Sequence, residues 1–295
     1  MGSNTPQQSR TQRAADSRAR ARQIQQDQIK REKRKRMAIV WGSVVATLVV
    51  IGVVVAFVLS NSAKDVPAAG QASGSANKQG GIVLTASDAL AEPKEKLAKD
   101  VDADSVDVPE NPPQEDPKTV PGAKKPGKDE PLHIIIYADF ACVHCWEFEE
   151  QNAEAMKRWL DEGKVTVEYR LLNFLDSPGN KNYPARGANA AYCVAEKKPE
   201  AYNEFVSTLF GTFGDHQGQG LSDDEIEAEA DKLGVDIGDC MDDGTYRPMV
   251  NYTTAKARAA EVRGTPTVFV GEENMKTEMP EGQSFEQWVE SKLNS

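Results

Sequence analysis

The sequence predicts a mixed α/β domain with a helical insertion, placed after one transmembrane helix and a polar spacer. Three observations predict this organisation. An apolar strand, a Cys-x-x-Cys pair and an amphipathic helix follow one another within residues 131–163. A long helical stretch separates that unit from a Thr-Pro turn and a final strand. Far upstream, residues 37–59 form an apolar run without a single charge.

The α/β unit begins at Pro131. The segment Leu132–Phe140 is β-branched, aromatic and apolar on both faces, which is typical of a buried central strand. The helix after the cysteine pair carries its apolar residues on one side, and Gly163 is a plausible stop. The segment Val165–Leu172 alternates as a second strand. The pattern therefore predicts a βαβ unit with the cysteine pair at the N-terminus of its helix.

The next part of the chain, from about residue 185 to Val262, has a helical pattern throughout. The insertion proper is expected at about 185–250, and a capping box at Ser222–Glu225 opens one of its helices. The remaining predicted elements are a helix at about Tyr246–Val262, a turn into a strand over residues 263–270 and a closing helix at Ser284–Leu293. The domain is thus predicted to cover residues 131–295.

Charge is distributed unevenly along the 295-residue chain. Residues 1–36 hold eleven Lys and Arg against three acidic residues, a net +8, while the whole chain is −11. Residues 61–295 therefore carry −19. This segregation excludes a uniform cytosolic globule, and it excludes nucleic-acid binding by the bulk of the chain, which would need a basic surface. Membrane topology already explains the basic tail, so no nucleic-acid partner is expected.

The apolar run at 37–59 has 23 residues. At about 1.5 Å per residue it reaches roughly 34 Å, enough to cross a hydrocarbon core of about 30 Å. Its basic N-terminal flank predicts a cytoplasmic tail, residues 1–36, and an extracytoplasmic remainder. The alternative is a signal peptide, whose apolar region has only about 7–15 residues. Residues 60–63 leave room for cleavage, and that alternative stays open.

Residues 60–130 are predicted to be a polar spacer. Residues 61–80 have the composition of a flexible linker, and residues 93–131 are rich in proline and charge. Within the spacer, residues 81–85 are a possible short strand. The spacer is expected to be exposed, or partly wrapped on the domain.

All four cysteines lie in the part predicted to be outside the membrane, where disulfides persist. Four cysteines allow three pairings. Cys142 and Cys145 are one helical turn apart and form the small ring for which this motif is known. That leaves Cys193 with Cys240, a structural bridge within the helical insertion.

The Cys142–Cys145 pair meets the requirements of thiol–disulfide exchange: a thiolate nucleophile, a resolving partner and access. A helix N-terminus supplies positive potential to the first sulfur, and His144 adds a positive or hydrogen-bonding neighbour. The alternatives are a buried disulfide staple or half of a metal site. The second pair of cysteines is spaced poorly for zinc. Neither a metal nor a cofactor is therefore predicted.

Two motifs separated by the helical stretch resemble a known family. Tyr137-Ala-Asp-Phe-Ala-Cys-Val-His-Cys-Trp146 and Gly264-Thr-Pro-Thr-Val-Phe269 resemble the DsbA-like thiol–disulfide oxidoreductases, especially the membrane-anchored Gram-positive bacterial type. The resemblance covers about residues 131–295. It implies a thioredoxin fold with a helical domain inserted before the Thr-Pro strand.

The resemblance also implies the roles of individual residues. Cys142 is the exposed nucleophile and Cys145 the buried resolving thiol. Pro266 is a cis-proline facing the disulfide, and Thr265 lines a peptide groove. Val143 is a departure, because this family typically has proline there and the dipeptide between the cysteines tunes the redox potential.

The function implied is donation of the Cys142–Cys145 disulfide to reduced, newly translocated proteins by a membrane-anchored monomer. Reoxidation by a membrane enzyme of the VKOR or DsbB type is the family expectation. The alternatives are a reductase or isomerase of the same fold, or a metal-binding thioredoxin-like module.

Other polar and aromatic residues near the motifs have two interpretations each. Asp139 either assists proton transfer or caps the strand-to-helix turn, and the second role is favoured. Trp146 is either a groove aromatic or a packing residue. His133 and His216 are expected to be structural.

Overall fold

The computed structural model of the chain describes residues 66–111, 113 and 115–294. The predicted basic tail (1–36) and the predicted membrane span (37–59) lie outside the described residues. Within the described ranges, no helix is long and apolar enough to cross a membrane.

The strands form one large mixed sheet and one small antiparallel pair. The large sheet has the order β3-β2-β6-β5-β7-β8, and β1 pairs with β4. In chain order the strands are β1 (Ala69–Gln71), β2 (Ile82–Ala86), β3 (Ala89–Leu90), β4 (Asp100–Asp102), β5 (Leu132–Ala138), β6 (Val165–Leu171), β7 (Thr267–Val270) and β8 (Glu273–Asn274).

The helices of the described residues are one crossover helix, a series inserted between β6 and β7, and two short C-terminal helices. They are α1 (Val143–Asp161), α2 (Tyr183–Lys197), α3 (Tyr202–Gly211), α4 (Phe213–His216), α5 (Asp223–Lys232), α6 (Gly238–Asp242), α7 (Arg247–Ala259), α8 (Met275–Glu278) and α9 (Phe285–Leu293). The sequence places the capping box of α5 at Ser222 and Glu225, and the structure contains it.

The central βαβ unit places the cysteine pair. β5 and β6 are parallel, with Leu132 opposite Val165 and Ala138 opposite Leu171. Parallel neighbours need a crossover, and α1 provides it. The inner face of α1 buries Met156 and Trp159 in the main core. Because β5 is central and fully paired, its C-terminal end is a fixed point from which the chain turns into α1.

Residues 66–111, called the arm below, pack on the domain. β2 pairs with β6, so the arm extends the large sheet by two strands. β1 and β4 lie against α7. Val101 in β4 is buried in the main core. The possible strand at 81–85 corresponds to β2 (Ile82–Ala86). The rest of the described spacer is also folded against the domain, and long-range contacts hold it there.

A buried ion pair fixes both the arm and the segment after it. Glu168 and Arg170 on β6 are 2% and 1% exposed and are joined at 2.6 Å. Glu168 Oε1 accepts from the Asn77 side chain at 2.8 Å, and Arg170 donates to the Pro121 carbonyl at 2.8 Å. His133 completes the network, 3.0 Å from Glu168 Oε2. His133 thus has the structural role expected of it.

Burial alone would raise the pKa of Glu168. The attraction of Arg170 and hydrogen bonds from His133 and Arg170 outweigh it and hold that pKa at about 2. Glu168 is therefore ionised and paired at any physiological pH, which suits a structural anchor.

Cys193 on α2 and Cys240 on α6 form a disulfide, with their Cα atoms 6.2 Å apart. The pairing is the one expected from the sequence, and it joins two helices of the insertion. Both residues are buried, at 0% and 9% exposure, so the bridge is a part of the core.

Candidate active site

Cys142 lies where β5 turns into α1, as the helix N-cap residue. Its backbone N–H donates to the Asp139 carbonyl at 3.0 Å, which closes a tight turn between strand and helix. The first backbone N–H groups of a helix have no partner within it, and they point toward the N-cap position. The Cys142 sulfur occupies that position, with only 7% of the residue exposed.

These donors favour a negative charge on Cys142. A hydrogen bond from the Cys145 thiol lowers the pKa of Cys142 most strongly. Burial opposes this effect, but further hydrogen bonds from Thr265 and from the backbone N–H groups of Cys145 and His144 bring the pKa to about 5. Cys142 is therefore a thiolate at neutral pH, the form that attacks and leaves in disulfide exchange.

Cys145 has the opposite environment. It is 1% exposed, and burial raises the pKa of its thiol well above the usual range. The nearby Cys142 raises it further, through the shared hydrogen bond and through charge. Both cysteines are free thiols here. The two sulfurs of the motif thus differ in charge state, since one is ionised and the other protonated. The expectation that Cys142 is exposed is wrong, because both cysteines are buried, at 7% and 1% exposure. Cys142 nevertheless lines a surface cavity, whereas Cys145 does not line that cavity.

The loop before β7 lies beside the Cys142 sulfur. The Cys142 Sγ lies 3.2 Å from the Thr265 carbonyl oxygen, to which the thiol donates when it is protonated. The Thr265–Pro266 peptide bond is cis, and both residues are half-buried. The geometry matches what the resemblance implies for this pair. Residues 142 and 265 are 123 positions apart, and the antiparallel pairing of β5 with β7 brings them together.

Asp139 has a structural role. It is fully buried, and its two carboxylate oxygens accept from the backbone N–H groups of Ala141 and Leu175, each at 2.9 Å. It thus ties the turn before Cys142 to the loop after β6. Burial raises the pKa of Asp139 to about 7, and these two hydrogen bonds oppose the rise. The capping role favoured from the sequence is the one its contacts support.

The residues between and after the cysteines face outward. Val143 is 40% exposed, so a large apolar side chain stands beside the reactive sulfur. The His144 Nδ1 lies 2.9 Å from Glu147 Oε2. This contact raises the pKa of His144, and the charge of Cys142 makes the smallest contribution to the rise. Trp146 stacks on Phe213 of the insertion, with ring centroids 5.5 Å apart, so it packs α1 against the helical domain.

We expect the Cys142 thiolate, followed by its absorbance against pH, to titrate near pH 5. We expect His144→Ser to raise this pKa by less than about one unit, because the His144 backbone donor remains and only an exposed, screened imidazole is lost. Lys157→Ser, an exposed position on the same helix, serves as the control. A shift of several units in His144→Ser would show that the imidazole, and not the helix N-terminus, sets the charge state.

A buried carboxyl that the sequence analysis did not single out lies one helical turn beyond Cys145. Glu149 accepts from the Tyr169 hydroxyl at 2.5 Å through one oxygen, and its other oxygen is buried without a partner among the described residues. Burial raises its pKa to about 7, although the Tyr169 bond lowers it. The one feature of the sequence that indicates an inward-facing Glu149 is its helical spacing from Cys145.

Glu149→Gln should stabilise the protein at alkaline pH. A buried carboxyl with a raised pKa holds its proton in the folded state and loses it in the unfolded state, so stability falls as pH rises from about 4.5 to 7. Glutamine removes this penalty, and we expect a gain of about 2 kcal/mol in unfolding free energy at pH 8 and little at pH 4.5. Denaturant unfolding at both pH values measures it. The exposed neighbour Glu150 gives the control, Glu150→Gln, and equal effects of the two substitutions would contradict the assignment.

The fold and the dithiol together define the class of protein. A βαβ unit with an ionised cysteine at the helix N-terminus, a buried second thiol three residues on and a cis-proline loop facing both is the centre of a thiol–disulfide oxidoreductase. A family model described as thioredoxin matches residues 127–291. The chain therefore belongs to the thioredoxin family.

Solved structures of bacterial oxidoreductases are similar to this chain. BdbD of Bacillus subtilis, in its oxidised form, has a TM-score of 0.50 at 16% identity, covering 61% of this chain and 100% of its own. That similarity shows the fold. Oxidised DsbA of Mycobacterium tuberculosis is 30% identical, with a TM-score of 0.49, covering 60% of this chain and 87% of its own.

A curated relative is a larger protein. The serine/threonine-protein kinase PknE of Mycobacterium tuberculosis is 31% identical over 154 residues, which are 48% of this chain. The matched region is 27% of the kinase, so this chain spans about a quarter of the length of the curated relatives it matches.

Proposed function

We propose that this protein is an extracytoplasmic thiol–disulfide oxidoreductase that donates the Cys142–Cys145 disulfide to newly translocated proteins. One observation carries the proposal. The pKa of Cys142 is lowered to about 5, most strongly by a hydrogen bond from the Cys145 thiol and further by backbone N–H groups at the helix N-terminus, whereas the pKa of Cys145 is raised. A stabilised thiolate favours the reduced form of the pair, and a pair that is stable when reduced is a strong oxidant.

The exchange proceeds in two displacements. A substrate thiolate attacks the Cys142 sulfur of the oxidised pair, forms a mixed disulfide and breaks the Cys142–Cys145 bond, and Cys145 takes up a proton. A second substrate thiolate then attacks the substrate sulfur of the mixed disulfide and releases Cys142 as a thiolate. Two electrons pass from the substrate dithiol to the cysteine pair. The low pKa of Cys142 makes it the better leaving group in the second step.

Turnover requires reoxidation of the pair outside the cytoplasm. The charge segregation supports a cytoplasmic tail at 1–36 and an anchor at 37–59, which would hold the domain at the outer membrane surface. There a quinone-linked membrane enzyme of the VKOR or DsbB type would return the electrons to the membrane. Protease added to cells with a permeable wall should then remove the domain and spare the tail, whereas a soluble form starting near residue 60 would show a cleaved signal peptide instead.

The proposed direction is tested with a reduced, unfolded secreted protein as the substrate. The oxidised chain, added in stoichiometric amounts without other oxidant, should form disulfides in the substrate and be recovered as the dithiol. Cys142→Ala should form none. If the reduced chain instead opens substrate disulfides while the oxidised chain transfers none, the protein is a reductase or isomerase of the same fold.

A further inference from the structure

The apolar side chains left exposed by the fold gather around the dithiol. Among the described residues, the large hydrophobic side chains that are exposed are Val108, Val143 and Leu175, at 36%, 40% and 44%. Val143 adjoins Cys142 in sequence, and the other two line a cavity of about 620 Å³ together with Cys142. Exposed apolar groups clustered at a reactive centre indicate a surface that binds something apolar.

Val108 comes from the arm, far outside the thioredoxin core in sequence. It shares the cavity with Pro109, with Phe174 after β6 and with Arg258 on α7. A second cavity of about 790 Å³ continues from the first, since Val108 and Arg258 line both. The two adjoining cavities, between residues 103–109 of the arm and α7, are together called the arm groove below.

Contacts with the domain hold parts of both walls of the arm groove. On the arm side, β4 pairs with β1, and a short 3₁₀ helix at Ala103–Ser105 packs on α7. On the opposite side, the backbone N–H of Asn173 donates to the Thr254 hydroxyl at 3.1 Å, and Leu175 is held by Asp139. The Arg258 guanidinium lies 5.4 Å from the Phe174 ring centre. The parts of the wall held by these contacts need little ordering when a ligand binds.

The lining changes along the arm groove. The end at Cys142 has apolar side chains on one side, Val108, Phe174 and Leu175. The charged residues Arg258, Glu261 and Arg263 also line this end. The far end is polar, through the exposed acids Asp104 and Asp107 and the amide side chain of Asn251. A bound extended peptide with its cysteine at the Cys142 sulfur would bury an adjacent apolar side chain between Val108, Phe174 and Leu175. Polar residues further along the peptide would lie at the far, polar end and stay hydrated.

We propose that the arm forms one wall of the substrate-binding site, and that the arm groove takes an extended segment of reduced polypeptide with an apolar side chain next to its reacting cysteine. This inference rests on the proposed function. It makes the arm a determinant of specificity, and not only a connection to the membrane. Val108 is then a binding residue that acts on the choice of substrate and leaves the chemistry at Cys142 unchanged.

The test compares two reduced peptides that differ only in Leu or Ser beside the cysteine. For the oxidised wild type, used in stoichiometric amounts, we expect the second-order rate constant for its reduction by the peptide to be about fivefold higher for the leucine peptide, as partial burial of one apolar side chain implies. Val108→Ser should reduce this preference to less than about twofold. Val83→Ser makes the same substitution where the side chain lines a different cavity, and it should keep the fivefold preference.

A binding measurement separates this inference from the proposed function. The same two peptides, with serine in place of cysteine and a fluorescent label, are titrated against the wild type, Val108→Ser and Val83→Ser. If no peptide is oxidised, the proposed function is wrong. If in that case the wild type still binds the leucine peptide more tightly and Val108→Ser does not, the proposed role of the arm groove in binding is confirmed. If peptides are oxidised but Val108→Ser keeps the wild-type preference, or the wild type shows no preference, the proposed role of the arm groove in substrate binding is wrong.

Discussion

Cys142→Ser should abolish disulfide transfer, lowering its rate by about a thousandfold or more, because the serine hydroxyl neither ionises at neutral pH nor forms the mixed disulfide. Cys145→Ser should have a different effect. Cys142 then has no resolving partner, so a disulfide-containing substrate attacked by its thiolate stays covalently bound. Incubation with such a substrate, followed by non-reducing electrophoresis and mass spectrometry, measures both outcomes.

The two variants are controls for each other. Both remove the active-site dithiol and keep the Cys193–Cys240 bridge, yet only Cys145→Ser should accumulate the adduct. An adduct that forms at residue 145 in the Cys142→Ser variant would reverse the assigned roles. Burial of Cys145 at 1% exposure argues against that outcome.

Loss of the second disulfide should affect stability without removing activity. Cys193 and Cys240 are 47 residues apart in sequence, and in the chain-entropy model a cross-link of that span contributes about 4 kcal/mol to the free energy of unfolding. We therefore expect the Cys193→Ala, Cys240→Ala double variant to unfold at much lower denaturant concentration. Its Cys142 thiolate should still titrate near pH 5, since the groups that set that pKa are retained.

The Cys142→Ala, Cys145→Ala double variant is the matched control, because it also removes two thiols but leaves the bridge intact. It should lose activity and keep most of its stability. A bridge variant with normal stability and no activity would mean that Cys193 and Cys240 relay electrons, contrary to the structural role assigned here.

The sequence predicts the central unit well because its signals are local. The apolar run of β5, the cysteine pair, the amphipathic face of α1 and the alternation of β6 all lie within 40 residues. The contact between Cys142 and Thr265 is long-range, and only the resemblance to a known family placed those residues together. Once β5 and β7 pair, that contact follows from the sheet.

The arm shows why the structure outside the central βαβ unit is harder to predict from the sequence. Apart from β2, for which the apolar run at 81–85 is a signal, its strands have two or three residues and no periodic apolar face, so the local pattern resembles a linker. Their stability comes from partners far away in sequence. The Glu168–Arg170 pair is the clearest example, since polar residues alternating along β6 are typical of a strand face in water. Here the arm covers that face, and the pair is buried because Asn77 and Pro121 supply its remaining hydrogen bonds.

Val108 is hard to identify as a binding residue from the sequence for the same reason. A single valine in a proline- and acid-rich segment carries no motif, and its position beside Cys142 depends on the β1–β4 pairing and on α7. Glu149 was missed for a related reason, because an acidic residue on an amphipathic helix is usually exposed.

Equilibration of the Cys142–Cys145 pair with glutathione buffers is the most direct test of the central claim, that this protein oxidises its substrates. The fraction of the chain in the disulfide form, measured by thiol alkylation at a series of reduced-to-oxidised glutathione ratios, gives the redox potential. The lowered pKa of Cys142 predicts a potential more oxidising than about −200 mV, toward the DsbA value near −120 mV. A potential near thioredoxin's, about −270 mV, would contradict the oxidase account and assign the protein to the reductases.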